Sequence, residues 1–442
     1  MTVVAAVDCG ATSVRVCRVD LDRRPLVPEV VHRVAHAPRS DAAGHLRWDW
    51  TLITSAVVEG LERCLAMGPL DSIGVDTWAV DYGLLDDDGA LIGDPYSYRD
   101  HRTDGYRTLV DEFGAAAMYA INGLQLQPFN TVFQLAVHDR NELARAARLL
   151  WLPELIVHHL TGVSMTEASS AGSSGLVDLT TGDWSPQLCA VAGVEPSLLG
   201  PIERAGRMVG EWRGVPVCLV GGHDTASAVA GMGPSANGGS VFVASGTWML
   251  VGAERSGPDT SEWARQRNFT NETGALGGIR FLRNVTGFWL LEQCRPHWDD
   301  VSVASLVGDA ARFDHPSVVD VDDESLRAPD DMLFAFTTLA GLPRTAHPGL
   351  VTRSIVESIA AKSALVVDQL AERTMFDDVV LFGGAARIAM LRDRLAALTG
   401  RPVRVGAAEA AALGNAIVQG IALGTFDSLE AGRHAIGGDS TP

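Results

Sequence analysis

Lysine is almost missing from this 442-residue chain: of its 35 basic residues, only Lys362 is a lysine and the rest are arginines. P-loop enzymes and protein kinases both place a lysine on the transferring phosphates. Lys362 lies within residues 354–371, a helix-patterned stretch with no glycine-rich loop before it, so neither architecture fits. Basic residues are also outnumbered, 35 against 54 acidic ones, for a formal charge of −19 and a pI near 5.0. With no local basic stripe, such a surface repels polyanions and argues against a nucleic-acid partner. Cysteine is sparse: the six cysteines form no CxxC pair and have no histidine at metal-ligand spacing, which leaves reduced core or near-surface thiols. Long apolar runs are lacking as well. Residues 410–426, the longest weakly polar stretch, are interrupted by Asn415 and Gln419 and read as a buried helix rather than a membrane span. Met1 leads straight into apolar residues 3–7 and Asp8 without the basic region and cleavage site of a signal peptide, so the expected location is cytoplasmic, with no membrane partner. Nothing in the sequence specifies an oligomeric state.

What is present is ample core material, 47% apolar residues over a length that suits two or three domains. Residues 3–20, VVAAVDCGATSVRVCRVD, read as an apolar strand, a small-residue turn and an alternating strand, with Asp8 near the end of the first strand. Apolar positions 52, 53, 56, 57, 61 and 65 recur at helical spacing, and an extended apolar run resumes at 72–75. Strand, hairpin, helix and strand make an α/β plan. A second opening of the same kind occurs at residues 240–254, SVFVASGTWMLVGAE, about 235 residues later. Two related domains follow from that repetition, with a boundary near the turn-forming stretch 231–239. The second half continues with helices near 284–294 and 349–372, a strand at 379–382 followed by Gly383-Gly384 and a helix, a strand at 402–405, and a last helix starting near Glu409.

Gly10, Ala11, Thr12 and Ser13 carry backbone N–H groups and short hydroxyls with no bulky side chain, which lets a chain wrap around phosphate oxygens. Asp8 beside them suits Mg²⁺, a cation that keeps most of its waters and needs only one or two carboxylates. A plain β-turn explains the same residues. Ser245-Gly246-Thr247 offers the same chemistry in the second half, and the pairing favours a grip on a polyphosphate. Asp224 in GGHDT follows the apolar strand 215–220, where a carboxylate can take a hydroxyl proton; a helix N-cap is the competing explanation. Trp78, Tyr98-Arg99-Asp100 and Phe129-Asn130-Thr131 mix aromatic faces with hydrogen-bonding groups, as a sugar pocket requires.

The ordered series VDCGATSVRV, GVDTWAVDYGLLD, YRDHRT, LQPFNTVFQL, GHDTASAVA, SGTWMLVG, FLRNVTGFWLLE, LFGGA and EAAALGNA, spread from residue 7 to about 416, resembles the FGGY family of carbohydrate kinases. The resemblance implies an α/β pair of ribonuclease-H-like (actin/hexokinase-like) domains with a cleft between them. Residues 1–232 would form the sugar side and 233–442 the ATP side. It further implies transfer of the γ-phosphoryl group of ATP, with Mg²⁺, to a ketose. L-rhamnulose, phosphorylated at C1, is favoured; L-fuculose, L-xylulose or a related sugar is the alternative. By motif position Asp224 matches the proton acceptor, and His223, Thr225, Asn284 and Ala79 match substrate contacts. Ala11, Thr12, Ser13, Val14, Arg15, Thr247, Glu292 and Gly384 match ATP contacts, and Asp8 matches the aspartate associated with magnesium, acting through water. Three positions depart from the family pattern. Ala79 replaces a glycine of the DTWG motif, Glu292 replaces a glutamine, and GGAARI replaces GGGxxN. A rival of another class is an actin-like or chaperone-like ATPase that needs no sugar; a sugar-sensing regulator ranks last, because no helix-turn-helix segment precedes the first hairpin.

Overall fold

The computed structural model describes residues 1–235, 239–246, 248–327 and 329–437. The chain forms two compact units: residues 1–234, 254–281 and 409–442 make the first, and 235–253 and 282–408 the second. The first unit therefore takes in residues 254–281 and 409–442 in addition to those before a single cut at residue 232.

The first unit is built on a six-stranded sheet. Its strands are β1 (Val3–Gly10), β2 (Ser13–Asp20), β3 (Glu29–Ala35), β4 (Ser72–Thr77), β5 (Met208–Trp212) and β6 (Val215–Cys218), in the spatial order β5-β6-β4-β1-β2-β3. β1, β4 and β6 run parallel, and β2, β3 and β5 are antiparallel to their neighbours. The register is complete across the hairpin, from Val3 opposite Asp20 to Gly10 opposite Ser13, and β1 pairs Asp8 directly with Asp76 of β4.

Side chains alternate across β1 as the pleat requires. Val3, Ala5, Val7 and Cys9 pack into a core with α1 (Trp50–Ala66) and α2 (Leu152–Thr161), whereas Ala6 packs with Cys17 and Ala412 on the other face. The side chain of Asp49 starts α1 by accepting from the Leu52 N–H, and Ile53, Ala56, Val57, Leu61 and Cys64 form its buried stripe. Val57 and Leu61 are wholly buried, each stabilising the fold by about 1.5–3 kcal/mol. Two further helices matter for function. The first, α3 (Ala168–Gly172), precedes β5, and α4 (Asp224–Ala230) follows β6. The second face of the sheet is covered by α5 (Ala410–Ala422), which packs on α4, β1 and β4. Gly414 allows the α4–α5 approach: a Cβ there would sit 1.7 Å from the carbonyl oxygen of Ser227.

In the second unit β7 (Ser240–Ser245) pairs antiparallel with β8 (Trp248–Arg255) and parallel with β9 (Asp378–Gly383), which pairs parallel with β10 (Val403–Val405). The long helix Pro348–Ala371 is largely buried. Lys362, the lone lysine, forms ion pairs with Asp320 and Asp322 in this unit.

Two sequence expectations need correction. Residues 279–286 are a strand, with the helix confined to Trp289–Cys294; buried Phe281 and Leu282, β-branched Val285 and Thr286, and then Gly287 favour extended chain. The helix that begins after Glu409 is not the last one, since Leu429–Ala435 is a further helix, capped by the Ser428 hydroxyl. All six cysteines are buried and free. Among the described residues no helix is long and apolar enough to cross a membrane.

Candidate active site

The parallel strands β1, β4 and β6 end on one side of the first unit, the side of an open α/β sheet where ligands bind. The chain after β6 continues that alignment, because the Gly222 carbonyl accepts from the Thr77 N–H at 2.8 Å before α4 begins. His223 is the N-cap of α4 and Asp224 its first residue, so Asp224 stands one position inside the helix rather than at the N-cap position. Its side chain is 29% exposed, and one oxygen accepts from the Thr225 hydroxyl at 3.1 Å.

Behind it lies a buried acidic pair. Asp8 and Asp76 are 1% and 0% exposed and stand side by side on β1 and β4. Arg15 Nη2 is 2.8 Å from Asp8 Oδ2 and Arg15 Nη1 is 2.5 Å from Glu409 Oε2, so Arg15 bridges the two carboxylates, and Asp8 Oδ1 has no donor. Burial raises the Asp8 carboxyl from its ordinary 3.8 to about 6; Arg15 opposes this, and the charges on Asp224 and Glu409 add to it. Asp76 is pushed well above the ordinary value by burial and then by the charge of Asp8. Its Oδ2 accepts from Asn415 Nδ2 at 2.6 Å, while Oδ1 has no partner. From Asn415 a polar chain continues along one face of α5: Gln419 donates to Asn415 Oδ1 and to the Ala5 carbonyl, and accepts from the Ser72 hydroxyl. Buried carboxylate oxygens without donors suit a hard cation or its waters.

The hairpin tip leads from this pair toward an aromatic cluster. Ala11 is half-buried, Thr12 exposed and Ser13 buried; Val14 is 1% exposed and packs in the core, which leaves its side chain no access to a ligand. The Thr12 carbonyl accepts from the His36 N–H, and His36 Nε2 bonds the Gly10 carbonyl at 3.0 Å. The His36 ring packs against Trp48 and Trp78, whose centroids are 4.4 Å apart. The keystone is Asp81, fully buried. Its Oδ2 accepts from the indoles of Trp48 and Trp78 at 2.7 and 2.9 Å and from the Tyr98 N–H at 3.1 Å, and its Oδ1 accepts from Gln134 at 3.1 Å. With four neutral donors and burial dominating, its carboxyl rises to about 6. Ala79, half-buried, precedes Val80, a β-branched residue held at φ 71°, a conformation that costs roughly 1–3 kcal/mol. The Val80 carbonyl is pinned by Thr131 Oγ1 at 2.7 Å.

The remaining expected site residues belong to the second unit. Asn284 lies half-buried on strand Ile279–Thr286. Glu292 is exposed in helix Trp289–Cys294 and paired with Arg295. Gly384 opens the turn after β9, with no atom within 4 Å of where a Cβ would stand. Its neighbour Gly383 has φ 88°, and a Cβ there would meet the Ser245 carbonyl oxygen at 2.4 Å. Thr247 lies outside the described residues. Sequence reasoning misses Asp76, Asp81, Glu409 and Asn415; the one signal for Asp76 is its place after the apolar run 72–75, and its pairing with Asp8 comes only with the fold.

The FGGY family of carbohydrate kinases, N-terminal domain, matches residues 3–231, and the family's C-terminal domain matches residues 241–423. The chain belongs to the FGGY family of carbohydrate kinases. Curated rhamnulokinases are similar over nearly its full length: that of Pectobacterium carotovorum is 35% identical over 98% of this chain and 90% of the relative, and that of Bacillus subtilis is 31% identical over 98% and 93%. Among solved structures, a ligand-bound xylulose kinase from Lactobacillus acidophilus superimposes with a TM-score of 0.81 at 16% identity, over 98% of this chain and 92% of that one. Plasmodium falciparum glycerol kinase with ADP gives 0.77 at 15%, with the same coverage. The fold of this FGGY kinase is thus the two-domain, actin/hexokinase-like α/β fold, and its activity is that of a carbohydrate kinase, which sets aside the sugar-independent ATPase.

Proposed function

We propose that this kinase transfers the γ-phosphoryl group of ATP to the C1 hydroxyl of L-rhamnulose, with Asp224 as the general base. The observation that carries the reading is Asp224 itself: a partly exposed carboxylate at the strand ends, next to an acidic pair that burial and mutual repulsion make receptive to a cation. The curated rhamnulokinases, similar over nearly the whole chain, support the choice of sugar. Asp224 accepts the hydroxyl proton as the sugar oxygen attacks phosphorus, which avoids a positively charged oxonium. Thr225 holds one carboxylate oxygen, Oδ1, and His223 faces that same oxygen, which leaves Oδ2 open to the hydroxyl proton. Asp8 Oδ1 and Asp76 Oδ1, which have no donors, are where Mg²⁺, directly or through its waters, would be held; the ion would supply charge neutralisation for the phosphates. Arg15 keeps the Asp8 carboxylate from full isolation. Ala11, Thr12 and Ser13 supply phosphate contacts, and Gly384, with open space above its Cα, suits the approach of a nucleotide. Thr247, Glu292 and Gly384 supply nucleotide contacts, and Asn284 is a sugar contact. The protein acts in the cytoplasm.

Ala79 favours a second reading in which the preferred ketose differs, because it adds a methyl group, next in sequence to Trp78, where the family motif has glycine; L-fuculose and L-xylulose are the candidates. ADP release measured over a panel of ketoses decides the substrate: L-rhamnulose is expected to give the highest kcat/KM, and a tenfold preference for another ketose would replace it. Asp224→Asn is expected to retain sugar binding and lose roughly 10²–10⁴ in kcat. Turnover close to the parent's would remove Asp224 from the role of base.

A further inference from the structure

We propose that Arg280 and Glu272 form a positioning pair that fixes the His223 imidazole in its Nε2–H tautomer, with that proton facing the Asp224 carboxylate. The proposal rests on the reading of Asp224 as the proton acceptor. Arg280 is wholly buried, an expensive place for a guanidinium that must be offset by its contacts, and those contacts fall on Nε and Nη2 while Nη1 has no partner. Its Nε donates to the Thr273 carbonyl at 3.2 Å, and its Nη2 lies 3.1 Å from Glu272 Oε2 and 3.0 Å from His223 Nδ1.

A guanidinium has donors only. The contact at 3.0 Å therefore makes His223 Nδ1 an acceptor, and the single proton of the neutral ring sits on Nε2. Nε2 is 3.5 Å from Asp224 Oδ1, longer than an optimal hydrogen bond, so this donor faces the base without being consumed by it. The opposite tautomer would send Nδ1–H to Glu272 Oε2. That separation is 3.4 Å, longer than the 3.0 Å contact with Arg280, and a proton on Nδ1 would set two donors, Nδ1–H and the Arg280 Nη2, against each other. It would also turn a bare nitrogen lone pair toward the Asp224 carboxylate. Arg280 thus selects the tautomer, and Glu272 balances the charge of Arg280 so that it can be buried there.

The backbone beneath the ring is fixed independently. Glu167 Oε2 accepts from the Gly222 N–H at 3.0 Å and from the Ser169 hydroxyl at 2.5 Å, and the Ser169 oxygen accepts from the His223 N–H at 3.2 Å. Ring and backbone are therefore held by separate partners, and only the ring contact dictates where the proton resides. In this arrangement His223 presents a donor to a sugar oxygen beside Asp224 and leaves the carboxylate free to accept.

The test is a tautomer measurement joined to a mutant cycle. Full-length protein labelled with ¹⁵N-histidine, with His223 assigned by comparison with His223→Gln, is expected to show an unprotonated Nδ1 and a protonated Nε2 in long-range ¹H–¹⁵N spectra. Arg280→Met is expected to abolish that pattern. A protonated Nδ1 in the unsubstituted protein overturns the proposal. In the kinetic arm Arg280→Met is expected to lower kcat on the order of ten- to a hundredfold when His223 is present. Combined with His223→Gln, whose amide keeps a donor near the Nε2 position without a tautomer to choose, it should change kcat by about twofold or less, as coupled sites do. Equal losses in both backgrounds also overturn it. If Arg280→Met does not fold, Arg280→Met/Glu272→Met removes both buried charges and enters the same cycle. The tautomer is read without turnover, so failure here is distinct from failure of Asp224 as the base, which Asp224→Asn tests alone.

Discussion

Removing the charge of Asp8 should make the protein more stable at neutral and alkaline pH while destroying its function. The carboxyl is raised from 3.8 to about 6 because burial, reinforced by Asp224 and Glu409, outweighs Arg15. A folded-state value above the unfolded one means that the native state binds the proton more tightly, so ionising Asp8 opposes folding. The cost is absent below about pH 3.8, grows between there and about pH 6, and is complete above it. Roughly two pKa units at about 1.36 kcal/mol each give a penalty of about 3 kcal/mol. Asp8→Asn mimics the protonated acid in size and charge and should recover most of that amount. Urea unfolding at pH 8 is expected to show a midpoint raised by the equivalent of about 3 kcal/mol, shrinking toward zero at pH 4, with phosphoryl transfer lost. An Asn variant that is less stable at pH 8, or a difference that does not vary with pH, would refute the electrostatic account of this site.

Asp81→Asn replaces one acceptor oxygen by an amide that must face N–H donors from Trp48, Trp78, Tyr98 or Gln134. A loss of about 1–3 kcal/mol in unfolding free energy is expected; ketose KM should rise more than kcat falls, and tryptophan fluorescence should shift with it. Gly414→Ala forces a methyl group against the Ser227 carbonyl where α5 crosses α4, and it should cost about 3 kcal/mol or more by calorimetry. A variant of unchanged Tm would mean that the two helices separate at no expense.

The local pieces of this fold were readable from sequence because each rests on short-range physics. The 3–20 hairpin shows as period-two alternation about a small-residue turn, and α1 shows as a 3.6-residue stripe. Asp8 and Asp224 stand out because one lies near the end of an apolar strand and the other follows one. What escaped depends on contacts hundreds of residues apart. Asn415 and Gln419 looked like mere interruptions of an apolar helix until the fold set them, one turn apart, over Asp76, Ser72 and Ala5. Asp81 gave no local sign that two indoles would converge on it. Arg280 carries no local sign that a histidine 57 residues earlier would meet it. The strand at 279–286 was partly misread as helix because a short apolar run satisfies both periods, and here β-branched residues and Gly287 decided the matter.

The union of α5 with the opening sheet has a consequence for synthesis. The face of β1 and β4 that carries Ala6, Asp8, Gly74 and Asp76 is covered by residues 410–422, so most of the polypeptide must leave the ribosome before that face is shielded. At about 5–20 residues per second, the nascent first unit waits tens of seconds with its strand surface open. An early-terminated product would carry that uncovered sheet permanently, a ready target for chaperones and proteases.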